Sequence, residues 1–288
     1  MVAGVTASLL HRMPPFETEL LNLSAQLAKE AGELVKQRRL EGVDVAATKS
    51  SVADVVTAAD RECEEFLRRR LSELRPGDGF FGEESDATET ETGVTWVVDP
   101  IDGTVNYLYG YPDYAVSIGA VLGDPSLEPA AFETVAGAVY SPAAREMFVA
   151  ARGGGAYLNG RRLELGEGPE SLATTLVATG YSYNAERRRL QAQTWLGLSD
   201  VVRDVRRMGA ASLDLCSVAV GRLDAYYEFG LKPWDWAAGA LIAREAGARI
   251  GGRTADAPEG RSLLVATHPN ITGDLYEHLG RVTPDALF

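Results

Sequence analysis

The run Trp96-Val97-Val98-Asp99-Pro100-Ile101-Asp102-Gly103-Thr104 constrains this chain more than any other stretch. Its apolar lead reads as a strand with helices packed on the sheet it joins. The strand is expected to end at Asp99, because Pro100 has no N–H to give a ladder. Gly103 permits a tight approach, and a helix can begin around Thr104. A fold that accepts this run must set two carboxylates, three residues apart, at one strand end. The backbone N–H groups beside Gly103 and Thr104 then point into the same space. Carboxylates suit a hard cation, and N–H groups at a helix start suit phosphate oxygens. A lone Asp at a strand end is usually a turn former, but its company of Pro, Gly and Thr favours chemistry.

Further acids stand at comparable places. Gly82-Glu83-Glu84-Ser85 follows the apolar Phe80-Phe81 directly, whereas an acidic pair is ordinarily solvated surface. Asp235, in Lys232-Pro233-Trp234-Asp235-Trp236, precedes an apolar helix. The plain reading there is an N-cap, worth about 1 kcal/mol, and a cap can also be a metal ligand. Asp54-Val55-Val56-Thr57-Ala58-Ala59-Asp60 sets Asp60 at another helix start, where complementing the helix dipole is the default role.

Composition narrows the partners. The chain has 288 residues, enough for one large domain or two tightly joined ones. Acids outnumber Lys and Arg 41 to 28, a net charge of -13, which argues against nucleic acid and anionic membrane as main partners. Cys63 and Cys216 are the only cysteines, which excludes a disulfide scaffold and a Cys-rich zinc module. No uninterrupted apolar stretch approaches about 18 residues, so no membrane-spanning helix is expected. Val2 to Leu10 is mildly apolar without a preceding Lys or Arg, which makes a poor secretory signal. The cytoplasm is the expected location. His11, His268 and His278 lie near the chain ends without a ligand-like pairing, which disfavours a zinc or His-nucleophile enzyme.

The pattern predicts a tail over 1–15 and then a helix carrying Leu20, Leu23, Leu27, Leu34 and Val35 at helical spacing. A second helix is expected over Thr57 to Leu74, with Cys63, Phe66, Leu67, Leu71 and Leu74 on its apolar face. Phe80-Phe81, Val94 to Val98, Tyr114 to Leu122, Thr134 to Tyr140 and Glu146 to Ala150 read as strands of one sheet, with turns at Arg152 to Gly155 and Asn159-Gly160. Beyond that, strand and helix alternate. Strands are expected over Leu172 to Thr179, Val201 to Arg206, Asp224 to Phe229 and Ser262 to Thr267; helices over Glu186 to Leu196, Ala211 to Val220, Trp236 to Ala246 and the terminus. This predicts an α/β (α+β) protein in two closely packed halves, 16–160 and 161–288.

Taken in order, these motifs resemble the inositol monophosphatase family of Mg²⁺-dependent, lithium-sensitive phosphatases. The carriers are Gly82-Glu83-Glu84-Ser85, Asp99-Pro100-Ile101-Asp102-Gly103-Thr104 and Trp234-Asp235 before Ala237-Ala238-Gly239. Support comes from Tyr114 to Gly119 and from Leu223-Asp224-Ala225-Tyr226-Tyr227-Glu228, and the resemblance runs from about Leu20 to the last helix. Gly230-Leu231-Lys232-Pro233-Trp234-Asp235 looks like the bacterial branch.

The resemblance implies a layered αβαβα sandwich of the sugar-phosphatase type, commonly a homodimer, that hydrolyses a phosphomonoester with metal-activated water. It assigns Glu83, Asp99 and the Ile101 carbonyl to a first Mg²⁺, and Asp99, Asp102 and Asp235 to a second. A third, weaker ion would sit near Glu83. Asp60 and Thr104, with Glu83, would activate the water. Asp102, Gly103, Thr104, Gly209, Ala210, Ala211, Glu228 and Asp235 would contact substrate, with Glu228 on sugar hydroxyls. Gly209-Ala210-Ala211-Ser212 departs from members that carry a hydroxyl directly after the glycine. Lys49 matches a basic residue on the loop over the metals, and an ordinary solvated lysine is the equal alternative. Arg206-Arg207 could face an anionic substrate, a surface or a dimer interface. Tyr226, Tyr227, Trp234 and Trp236 read as core. Inositol 1-phosphate is the leading substrate; histidinol phosphate, fructose 1,6-bisphosphate and a nucleotide bisphosphate are alternatives within the fold. A macromolecule-binding role, such as to transcription machinery, is less favoured because the acids are all retained.

Overall fold

Two prolines and a long heptad-like apolar stripe set the first element, helix α1 (Pro15–Glu41), which buries Leu20, Leu27 and Val35. The computed structural model describes residues 15–43, 45–49, 55–127 and 131–288. Val2 to Leu10, His11 and Asp54 lie outside the described residues, as does the expected tail apart from Pro15. A short antiparallel pair, β1 (Val45–Thr48) and β2 (Val55–Thr57), leads into α2 (Ala58–Leu74). Cys63, Leu67 and Leu71 of α2 are buried as expected, but Leu74 is exposed in its last turn.

The first sheet has seven strands in sequence order: β3 (Gly79–Gly82), β4 (Val94–Asp102), β5 (Ala115–Asp124), β6 (Ala131–Ser141), β7 (Glu146–Ala151), β8 (Gly155–Leu158) and β9 (Arg161–Leu163). Only β3 and β4 pair in parallel. Every residue of β4 is buried, which accounts for its unbroken apolar lead. The short α3 (Thr104–Tyr109) follows it.

Strand β4 does not stop at Asp99. It runs to Asp102, with the ladder to β5 shifting between Asp99 and Asp102. Pro100 is tolerated there because β3 pairs only as far as Val98, leaving no ladder on that side to break. The irregularity re-aims Asp99 and Asp102 at the strand's end, a common use of a bulge beside a site. Strands β8 and β9, for which no strand was expected, form a hairpin about the Asn159-Gly160 turn, with β8 running between that turn and the one at Arg152 to Gly155.

The second sheet has five strands in the order β11-β10-β12-β14-β13: β10 (Leu176–Thr179), β11 (Asp204–Arg206), β12 (Ala225–Glu228), β13 (Arg249–Gly251) and β14 (Leu264–Thr267). Leu172–Thr174 forms a 3₁₀ turn rather than the start of a strand. Helices α4 (Ala185–Leu198), α5 (Ala211–Ala219), α6 (Pro233–Glu245) and α7 (Thr272–Val282) alternate with these strands.

Three apolar clusters define the layers. Helices α1 and α2 cover one face of the first sheet through Leu27, Val35, Leu67 and Val98. Helices α5 and α6 fill the space between the sheets, where Leu215 and Leu241 meet Val139 and Phe148 on one side and Tyr226 and Ala266 on the other. Helices α4 and α7 cover the far face of the second sheet through Leu198, Leu275 and Val265. The architecture is therefore an αβαβα sandwich. The C-terminal end of β4, the end of β12 and the first turns of α5 and α6 open towards one another.

Candidate active site

These ends enclose a cavity of about 130 Å³ lined by Glu83, Asp99, Ile101, Asp102, Gly103, Thr104, Gly209, Ala211, Glu228 and Asp235. The acids come together from four places in the chain: Asp99 and Asp102 from the end of β4, Glu83 from just after β3, Glu228 from β12 and Asp235 from α6. Asp99, 2% exposed, has Oδ1 fixed by the Ile101 N–H at 3.0 Å. Asp102 Oδ2 accepts from the backbone N–H of Ser212 at 2.7 Å and from its hydroxyl at 2.5 Å, so it caps α5 from outside. The hydroxyl absent after Gly209 is thus found three residues on, holding Asp102. Asp235 is not an N-cap: it occupies the third position of α6 and accepts from the Lys232 N–H at 2.7 Å.

Asp60 occupies the third position of α2 in a capping box. Its Oδ2 accepts from the Thr57 N–H at 2.8 Å and the Thr57 hydroxyl at 2.5 Å. That leaves Oδ1 for Thr104, whose hydroxyl stands 3.2 Å from it and 3.0 Å from the Ile101 carbonyl. Lys49 is not a free surface lysine. Its ammonium donates to Glu83 at 2.7 Å and to Glu84 at 2.6 Å. Burial works against that charge, but the two carboxylates overcome it and raise the lysine's pKa.

Gly103 adopts φ 89°, and a Cβ there would lie 2.7 Å from the Asp113 carbonyl, so a side chain would be strained and crowded. Ala210 does not line the cavity; its methyl group is buried behind Gly103. Gly180 has a different necessity: a Cβ would stand 1.9 Å from Glu228. Glu228 in turn accepts from the Tyr226 hydroxyl at 2.6 Å. Tyr226, Tyr227 and Trp236 are core, whereas Trp234 lines an adjoining cavity and lies against Phe81.

Residues not singled out from sequence, Glu64, Asn106, Tyr181 and Tyr183, complete the site together with Arg207, whose role was open on sequence between substrate, surface and dimer interface. Glu64, one helical turn beyond Asp60, is buried and accepts from the Glu84 N–H at 2.8 Å and from the Ser85 hydroxyl. It shapes the turn that carries Glu83. Tyr181, Tyr183 and Arg207 also line the cavity. Asn106 ties the Arg207 loop down, donating to the Met208 carbonyl at 2.8 Å and the Asp113 carbonyl at 2.7 Å. Arg206 instead pairs with Asp204 on the surface. Of these only Arg207 carried a signal in the sequence, as a cation just before the Gly209 turn; Glu64 is one acid among several on a polar helix. His268 and His278 bond backbone carbonyls at 3.1 and 2.9 Å, as structural residues do.

Burial raises every acid of the cluster. Glu83 and Glu228 stand at about 7, and Asp60 and Asp102 at about 6. Asp99 and Asp235 lie well above the usual carboxylate range, from burial first and then from Glu83 and Asp102. Among the described residues, no three acid, His or Cys side chains already converge at ion-holding spacing. The donor chemistry nevertheless fits a hard dication: the carboxylates of Glu83, Asp99, Asp102 and Asp235 and the Ile101 carbonyl present oxygen to one cavity, with Glu228 as a fifth carboxylate on its wall.

In metal-free protein these carboxylates bind protons more tightly folded than unfolded, where they titrate near 4. Their favourable contribution is complete below about pH 4 and is lost as pH rises through 6 to 7. The melting temperature with EDTA should therefore rise from about pH 7.5 to about 5.5. Mg²⁺ should raise it most at the higher pH. Scanning fluorimetry at both values checks this, and Mg²⁺ stabilisation that is equal or larger at about pH 5.5 contradicts it.

An αβαβα sandwich with such an oxygen-lined cavity between its sheets defines the class of phosphoric monoester hydrolases. The chain belongs to the inositol monophosphatase family, whose sequence profile matches residues 17–283. It is 46% identical over 279 residues to the inositol-1-monophosphatase SuhB of Mycobacterium tuberculosis, covering 91% of this chain and 93% of that one. It is 34% identical over 275 residues to the Nus factor SuhB of Escherichia coli K12, covering 93% and 98%. The solved structure of Mycobacterium tuberculosis SuhB matches with a TM-score of 0.78 at 44% identity, covering 94% of this chain and 99% of that one. The protein is an inositol-phosphate phosphatase by family.

Proposed function

We propose that the protein hydrolyses myo-inositol 1-phosphate to inositol and phosphate with Mg²⁺, using water as the nucleophile. The observation that carries the reading is the convergence of Glu83, Asp99, Asp102, Asp235 and the Ile101 carbonyl on one cavity with the Thr104–Asp60 pair in reach. Glu83, Asp99, Ile101, Asp102 and Asp235 would hold the ions, and when bound these would neutralise the carboxylates, polarise the phosphoryl group and acidify water. Residues 16–160 supply most of these groups and 161–288 complete them.

The protein's own residues do the rest. The N–H groups of Gly103 and Thr104 take phosphate oxygens. The Thr104 hydroxyl accepts the proton of the attacking water as it passes its own to Asp60. Asp60 is suited to receive it, since burial holds it near 6 while two Thr57 donors keep its other oxygen occupied. Glu228, fixed by Tyr226, accepts from hydroxyls of the polyol. Gly209 and Ala211 lie against the ring.

Phosphate release from inositol 1-phosphate, histidinol phosphate and adenosine 3′,5′-bisphosphate with Mg²⁺ tests the assignment. Inositol 1-phosphate should give the highest kcat/KM, and millimolar Li⁺ should inhibit. Preference for another ester replaces the substrate. We also propose a cytoplasmic homodimer with no nucleic-acid or membrane partner. Light scattering at micromolar concentration should give twice the chain mass, and a monomer removes that claim. Two relatives named as Nus factors favour a second, macromolecule-binding role beside catalysis.

A further inference from the structure

Helix α2 buries only two of its acids, Asp60 and Glu64, one turn apart on the same face. Its other acids, Glu62, Glu65 and Glu73, lie at least partly in solvent, and Glu62 pairs with Arg38. Asp60 serves the relay through Thr104. The reaction described above gives Glu64 no task, although burying a carboxylate is costly unless donors surround it.

Glu64 is directed at the short stretch of chain that follows β3. Its Oε2 accepts from the Glu84 N–H at 2.8 Å, and its Oε1 accepts from the Ser85 hydroxyl. The same Oε2 lies where a side chain on Gly82 would have to begin, and a Cβ there would overlap it. The backbone on both sides of Glu83 is therefore fitted to one carboxylate. Gly82 leaves room for it, and Glu84 donates to it. Between them Glu83 reaches the catalytic cavity and the Lys49 ammonium.

Arg68, a further turn along α2, completes the clamp. It donates to the Ser85 hydroxyl oxygen at 2.6 Å and to the Asp86 carbonyl at 2.5 Å. Its guanidinium lies over the Phe80 ring of β3, 4.2 Å from the centroid. Ser85 thus donates to Glu64 while it accepts from Arg68.

Two features set this apart from a carboxylate that only closes a turn. The residue between the two clamped positions belongs to the proposed ion site. The helix that clamps it also carries the relay carboxylate four residues earlier, about 6 Å along the axis. Glu83 and the Asp60–Thr104 pair are therefore referred to one rigid element. Mg²⁺ is small and demands near-ideal oxygen geometry. A ligand whose backbone can shift should lose affinity for it.

We propose that Glu64 is a positioning residue for Glu83. By fixing the backbone on either side, it aims the Glu83 carboxylate into the cavity and so sets the affinity for the divalent cation. This rests on the assignment of Glu83 to the ion site in the proposed function.

Mg²⁺ binding to the full-length protein, followed by calorimetry without substrate, tests it. Glu64→Ala should weaken binding by about tenfold to a hundredfold, the scale for residues that orient metal ligands. Glu64→Gln keeps an oxygen for the Glu84 N–H and should recover most of that loss. Ser85→Ala removes one donor and should weaken binding by about threefold or more, which carries the test should Glu64→Ala not fold. In kinetics, the Mg²⁺ concentration for half-maximal rate should rise by the same factors, while kcat at saturating Mg²⁺ falls far less. Hydrogen exchange of the metal-free protein reads the clamp without any ion. The Glu84 amide should exchange about tenfold faster in Glu64→Ala, whereas the Thr57 amide, held by Asp60, should not. Leu71→Ala loosens α2 through its core face and should change Mg²⁺ affinity by less than about twofold. An equal loss in Leu71→Ala would mean that Glu64 acts through stability alone, and overturns the proposal. So does a loss of affinity with the Glu84 amide still protected. Wild-type protein that binds no Mg²⁺ refutes the ion site, and this proposal with it. Wild-type binding that the Glu64 and Ser85 variants leave intact overturns this proposal alone.

Discussion

Asp99→Asn should reduce Mg²⁺-dependent phosphate release by roughly a thousandfold or more, the scale of several kcal/mol of lost transition-state stabilisation. The substitution is nearly isosteric. An Asn oxygen can still accept from the Ile101 N–H, so β4 and its shifted ladder have no reason to move. What disappears is one negative charge from a set in which Glu83, Asp102 and Asp235 all push Asp99 towards its protonated form. This gives the variant a signature that simple misfolding does not have. Without metal it should melt at or above the wild-type temperature, because one buried repulsion is gone. With Mg²⁺ it should gain much less than the wild type. Melting with EDTA and with Mg²⁺, beside steady-state kinetics, reads both. Hydrolysis left intact would remove Asp99 from the metal-holding set. A variant that melts far below the wild type without metal would mean that Asp99 acts through the fold instead.

How much of this was legible depends on how local its cause is. The β4 run named its own acids, since a buried strand followed by Pro, Gly and Thr leaves little freedom for Asp99 and Asp102. Their use at one strand end was legible, but the course of the strand past Pro100 was not. Whether a proline breaks a ladder depends on which neighbour lies beside it, and β3 happens to stop at Val98. The helices were legible because α1 and α2 repeat apolar residues at helical spacing, while Leu74 shows that the repeat cannot tell where the covered sheet ends. The α5 turn was harder. Its serine could be seen, but its partner Asp102 is 110 residues away, and only the packed sheets bring the two together. Glu64 and Tyr181 were missed for the same reason, each contributing through neighbours from another segment, and Arg207 could not be told from a surface or interface arginine until the fold placed it on the cavity. Lys49 was undecided on sequence because a lysine's role depends on which acids face it.

Asp60→Asn should lower kcat by about a hundredfold to ten-thousandfold, the range for removing a positioned general base. The capping box should tolerate it poorly but not fatally. The Thr57 N–H and hydroxyl both donate to one Asp60 oxygen, which an Asn carbonyl can replace. Its amide would then face Thr104 and donate where the carboxylate accepted. The hydroxyl could no longer pass a proton that way. Thr104→Ala should share most of the loss, and the double variant should cost little more than either single one, since both sit on one relay. Thr104→Ser should retain most activity, because the hydroxyl is what the relay needs. The pH profile separates this role from a structural one. With Asp60 near 6, wild-type kcat/KM should fall on the acid side as the carboxyl is protonated. Bound Mg²⁺ stabilises the ionised form, so the limb can move only to lower pH. In Asp60→Asn this contribution to the limb should vanish. An Asn variant within tenfold of wild type, or one with the full acid limb unchanged, would assign the proton to another acceptor in the cluster.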